Sequence, residues 1–180
     1  VISQSSQKLI IHWDTFNCLK NPQVVDYNKC NIIGPEKSLL SVEIKYNRDF
    51  DTFNGTFILR LPRPPTNKFH KIMDLNFNIC QFFMSSKLNK FLNIVYRSMS
   101  KDSNMPIKCP QLKVGFYLVF VNTPIGIHIC IFQGVYYFRN MDIGANVPIF
   151  LPKSAFKAEL NFYQPKLQIL NVSLSGVLTE

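Results

Sequence analysis

Five cysteines are the residues most able to do chemistry in this chain: Cys18, Cys30, Cys80, Cys109 and Cys130. Thiols serve as metal ligands, nucleophiles or disulfide partners, and their spacing helps separate these uses. No Cys-x-x-Cys occurs, and His12, His70 and His128 stand singly without ligand spacing, so no metal site is expected. The chain has no Gly-x-Ser-x-Gly, no phosphate-cradling glycine loop and no His-Glu-x-x-His. His12 beside Trp13 lacks a partnered nucleophile, and Asp49 and Asp51 flank Phe50 as the decoration of a loop. The expectation is therefore a non-enzyme with no cofactor. Asn54-Gly55-Thr56 and Asn171-Val172-Ser173 are glycan acceptors if the chain is secreted, with Asn54 the better placed.

The elements that must position these residues are mainly strands. Leu9, Ile11 and Trp13 alternate with polar or opposite-facing neighbours, predicting a first strand that ends before Cys18. Leu40, Val42, Ile44 and Tyr46 form a clean half-buried alternation. Phe57, Leu59 and Leu61 form another, stopped by Pro62, Pro64 and Pro65. Leu75, Phe77 and Ile79 alternate with Asn76, Asn78 and Cys80. Phe156, Ala158, Leu160 and Phe162 make the next, and Leu170, Val172, Leu174 and Leu178 the last. One segment breaks the period: Leu88, Phe91, Leu92, Val95 and Met99 recur at helical spacing, with Ser85 or Ser86 as a cap. Short alternating strands separated by turn residues predict an all-β, antiparallel, immunoglobulin-like sandwich with one short helix between Cys80 and Cys109.

Length fits a single domain across 1–180. The net charge of +9 comes from 20 Lys and Arg against 11 Asp and Glu. These charges are scattered, the densest sets being Lys68 with Lys71, and Lys87 with Lys90, Arg97 and Lys101. No aromatic-basic motif or recognition helix accompanies them, so nucleic acid is not expected. A solvated positive surface is the plain reading, with at most peripheral contact with anionic lipid head groups. Opening at Val1 agrees with a signal peptide already removed and predicts secretion.

The most specific motifs lie late in the chain: Cys109-Pro110, Gly134-x-Tyr136, Leu151-Pro152 and a terminal strand from Leu167 to Leu178. In that order, with Asp74-x-x-x-x-x-Cys80 before them, they resemble an insect family of small secreted proteins, the domain of unknown function 1091. The resemblance runs from about Cys18 to Leu178. It implies kinship with the lipid-recognition (ML) sandwiches and with insect chemosensory B-type proteins linked to pheromone detection. It also implies pairing of Cys18 with Cys30 and Cys80 with Cys109, although four cysteines allow three connectivities by sequence alone.

In the resembling family the Cys-Pro and Gly-x-Tyr are close together, whereas here Val114–Gln133 separates them without one Asp, Glu, Lys or Arg. A Val codon begins with GT, a Gln codon can be CAG, and Ile129-Cys130-Ile131-Phe132 can be written with T-rich codons. These are the marks of an intron, and a whole number of codons keeps the frame. The segment is read as a retained intron whose removal joins Lys113 to Gly134 and removes the odd Cys130. The alternative is a genuine buried strand.

Two functions follow. In the first, the sheets part slightly and bind a lipid or other apolar small molecule. Val42, Ile44, Phe57, Leu59, Phe77, Ile79, Phe156, Leu160, Leu170 and Val172 are the pocket candidates. In the second, the core is dry and the protein is an extracellular interaction module or receptor partner, with Tyr136, Tyr137 and Tyr163 as exposed anchors.

Overall fold

The alternating segments do form strands, and their apolar faces meet. A computed structural model describes residues 9–84, 90–105, 109, 115–118, 129–132, 134–147 and 151–179. One sheet has the order β1 (Ile10–Lys20), β10 (Leu167–Thr179), β9 (Ala155–Gln164), β4 (Asn54–Arg63), β5 (Lys68–Asn78). The other has the order β2 (Val25–Ile33), β3 (Leu39–Tyr46), β8 (Val135–Met141). All pairings are antiparallel. Period-two alternation puts Cys18, Val172, Leu160, Phe57 and Leu75 on one rung across the five strands. The second sheet answers with Leu40 opposite Met141, Val42 opposite Phe138 and Ile44 opposite Tyr136. The expected antiparallel β-sandwich is the fold of this chain.

Gly176 shows how tightly the register is set. It pairs with Trp13 on one side and Phe156 on the other, where β1 shifts register. A Cβ there would lie 2.5 Å from the His12 carbonyl oxygen. Its absence lets Trp13 and Phe156 meet edge to face at 5.5 Å across the strand between them.

Several boundaries differ from the sequence reading. β1 does not end before Cys18 but continues to Lys20. β2 was not expected as a strand at all. It is an edge strand whose residues are mostly half-buried or exposed, so no clean alternation marks it. β4 runs on through Pro62 to Arg63. The strand expected to reach Cys80 stops at Asn78, and among the described residues α1 (Ile79–Met84) follows it and then α2 (Lys90–Ser100), the expected helix. Asn78 explains the switch: its Oδ1 accepts from the amides of Cys80 at 3.0 Å and Gln81 at 3.3 Å, an N-cap contributing about 1 kcal/mol. Ser85, Ser86, Lys87, Leu88, Pro110, His128 and Pro148-Ile149-Phe150 lie outside the described residues.

The two sheets are unequal, and α2 makes up the difference. Three strands cannot cover five, and α2 covers the remainder. Its Phe91 stacks on Phe57 of β4 at 4.7 Å, and its Ser98 is held to the chain just after β8. Ser98 is fully buried, and its hydroxyl lies 2.9 Å from the Asp142 carbonyl and 3.1 Å from that of Ile94. The Asn146 amide donates to the same hydroxyl at 3.3 Å.

Both expected disulfides are present. Cys18–Cys30 joins β1 to β2, closing one side of the sandwich between its two sheets, with a Cα separation of 6.1 Å. Cys80–Cys109 ties the first turn of α1 to the far end of the helical segment, with a Cα separation of 5.6 Å. Among the described residues no helix is long and apolar enough to cross a membrane. From Val114–Gln133 the structure describes β6 (Gly115–Leu118) and β7 (Ile129–Phe132), which pair with each other and join neither large sheet.

Candidate functional site

Packing α2 beside a three-stranded sheet leaves space that side chains do not fill. Two neighbouring cavities lie between the layers. The first, of about 110 Å³, is floored by Phe57, Leu59, Phe156 and Ala158 and roofed by Phe91 and Ile143. The second, of about 130 Å³, is walled by Leu40, Val42 and Ile44 on one sheet and Leu170 and Val172 on the other, with Met99 of α2 above. Val95, Ile143, Leu160 and Leu174 border both. Together they approach the lower end of small-molecule pocket volumes, ~300 Å³.

The chemistry of the walls is uniform. Among the described residues no lining residue is charged, Ser154 is the one hydroxyl in the first lining and Tyr46 the one in the second. Burial, helped by neighbouring Tyr136, pushes the Tyr46 phenol well above its ordinary value of 10.0, so it stays neutral. Such a surface attracts hydrocarbon and penalises any ligand that must bury an unpaired polar group.

Of the ten residues proposed from sequence, Phe57, Leu59, Phe156 and Leu160 line the first cavity. Val42, Ile44, Ile79, Leu160, Leu170 and Val172 line the second. Phe77 lines neither. It lies over Gly55, where a Cβ would meet its ring at 2.4 Å, and packs on Phe82 and Phe162. Sequence reasoning missed the contributions of α2 and of the Ile143 turn, although the helical stripe Phe91, Val95, Met99 was visible. The motif residues fall around the same interior. Leu151 and Pro152 line the first cavity, and Tyr136 packs on Tyr46 at 5.9 Å.

Tyr136 therefore corrects the idea of an exposed anchor, being 2% exposed in the core. Tyr137 is half-buried beneath the Arg139 guanidinium at 4.1 Å, and Tyr163 is half-buried on β9. Asn54 and Asn171 lie within sheet ladders, not in loops. Asn54 Oδ1 accepts from Asn78 at 3.1 Å, and the Asn171 amide donates to Asn161.

His12 has both ring nitrogens engaged. Nδ1 lies 3.1 Å from the Glu36 carbonyl and 3.9 Å from its carboxylate, and Nε2 lies 3.1 Å from the Thr179 hydroxyl. The ring ties β1 to the end of β10 and to the turn before β3, away from either cavity lining. Asp49 and Asp51 are exposed on a loop fixed by buried Phe50 between them. Among the described residues no three His, Cys, Asp or Glu side chains are gathered as a metal site.

No curated protein matches this chain. A family-model match covers residues 53–120, from the head of β4 through both cysteines of the Cys80–Cys109 bridge, and stops inside Val114–Gln133. The family is the one described as Protein of unknown function (DUF1091), and over this stretch the chain matches its model.

Proposed function

We propose that the protein is a secreted binder of a lipid or other apolar small molecule, held between the two sheets. The observation that carries this reading is the pair of adjoining, uncharged cavities in a sandwich whose layers are cross-linked at one side and bridged by a helix at the other. Two disulfides suit an oxidising, extracellular compartment. Transport of a hydrophobic signal in chemosensation or pheromone response extends the family resemblance. Native mass spectrometry of protein made in a secretory host tests the reading. A reproducible co-purified apolar molecule supports it, and ligand-free protein that takes up no hydrocarbon or fatty acid contradicts it.

A second reading, an extracellular interaction module, has one observation in its favour. Leu19 is 70% exposed and Tyr27 40% exposed on the two strands joined by Cys18–Cys30. An apolar contact there would suit a receptor or another secreted protein.

We also propose that the codons for Val114–Gln133 are a retained intron. Gly115 pairs with Phe132, so these two residues of the segment lie one ladder rung apart, roughly 5 Å. Removing the paired strands β6 and β7 leaves every described rung of both large sheets intact. Sequencing the transcript across the codons for Lys113 and Gly134 decides. Direct joining is expected, and the segment's presence in the abundant message overturns the proposal and restores Cys130 as an extra thiol.

A further inference from the structure

The two cavities differ in how they meet solvent, and one helix runs along both. Ile72 lines the first cavity and is 52% exposed, so this cavity reaches the surface at β5. The ladder explains why: Leu59 pairs with Met73 and Arg60 with Lys71, leaving Ile72 as the extra residue of a bulge on an edge strand. Bulges of this kind re-aim a side chain, here onto the rim of the cavity.

Along α2, Phe91, Val95 and Met99 follow one another at intervals of four residues, a stripe about 12 Å long. Phe91 borders the outer cavity only, Met99 the inner cavity only, and Val95 both. Ile143 also borders both. The turn carrying Ile143 is tied to α2 by the buried Ser98, whose hydroxyl contacts the Asp142 carbonyl and accepts from Asn146, on either side of Ile143. Leu160 and Leu174, on central strands of the large sheet, complete the boundary from below.

Resting on the binding reading above, we propose that Val95 and Ile143 form the partition between an outer and an inner chamber, and that this partition selects ligands by chain length. A short alkyl chain fits the outer chamber with its polar end at the Ile72 rim. A longer one reaches the inner chamber only by displacing Val95 and Ile143. The ligand class is an unbranched alkyl chain with a single terminal polar group, because among the described residues neither chamber offers a charged partner for a polar group along the chain.

The test is titration of the folded full chain with octanol and with dodecanol, reading the ratio of the two affinities. Val95→Ala opens the partition and is expected to shift that ratio toward dodecanol by about tenfold or more, the gain from burying two or three further methylenes. Val95→Phe closes it and is expected to shift the ratio the other way with octanol binding retained. Leu19→Ala, at a 70% exposed site on β1 that lines neither chamber, is expected to leave the ratio unchanged. If the wild type binds octanol but neither Val95 variant moves the ratio, the partition proposal falls and the binding reading stands. A wild type that binds neither alcohol overturns both.

Discussion

Replacing Cys80 and Cys109 together with alanine is expected to lower the stability of the fold by about 3.5 kcal/mol. The bridge spans 29 residues, and in the chain-entropy model a loop of this length restricts the unfolded ensemble to that degree. That is a large part of the ~5–15 kcal/mol typical of a folded domain. The loop holds α1 and α2, so its release also frees the layer that covers β4 and borders both cavities. The comparison is the Cys18–Cys30 bridge, whose separation of 12 gives a smaller effect, about 2.8 kcal/mol, between strands that already lie side by side. Urea denaturation of the two double variants measures both. The expected order is a greater loss for Cys80/Cys109, and an equal or greater loss for Cys18/Cys30 contradicts this account of the helical layer.

Much of the sandwich was legible because its inner faces are written in period two. Leu40 through Tyr46 and Phe156 through Phe162 place apolar side chains on one face, and both are strands. β2 was illegible for the opposite reason. An edge strand has no second neighbour to bury it, and residues such as Asp26, Asn28 and Lys29 show no core-facing rhythm. The start of α1 was hidden because Asn78, Ile79 and Cys80 continue the alternation of β5. Only the side-chain capping by Asn78 shows that the backbone turns there. The disulfide pairing came from family resemblance. Tyr136 and Tyr137 look alike in sequence, yet pairing of Ile44 with Tyr136 turns one into the core and leaves its neighbour under Arg139. The cavities themselves were beyond composition. Sixteen Phe and seven Tyr can fill a core or line a void, and the outcome depends on three strands and a helix covering five strands.

Filling the shared floor is expected to remove ligand binding without unfolding the protein. Leu160 borders both cavities from β9 and is half-buried, so the indole of Leu160→Trp grows into space rather than into packed atoms. Overpacking a filled core costs about 1–3 kcal/mol, and void space at this position should keep the cost near the lower end. The alkyl chain of a ligand loses the volume it needs, and a loss of affinity of about 100-fold or more, ~3 kcal/mol, is expected. Leu19→Trp, at the 70% exposed site on β1, serves as the control for added aromatic surface. The measurement that tests the central claim most directly is calorimetric titration of dodecanol into delipidated wild type, Leu160→Trp and Leu19→Trp. The account predicts saturable uptake by the wild type and Leu19→Trp, with a negative heat-capacity change, and its loss in Leu160→Trp. Equal uptake by all three, or none by the wild type, would contradict a ligand site between the sheets.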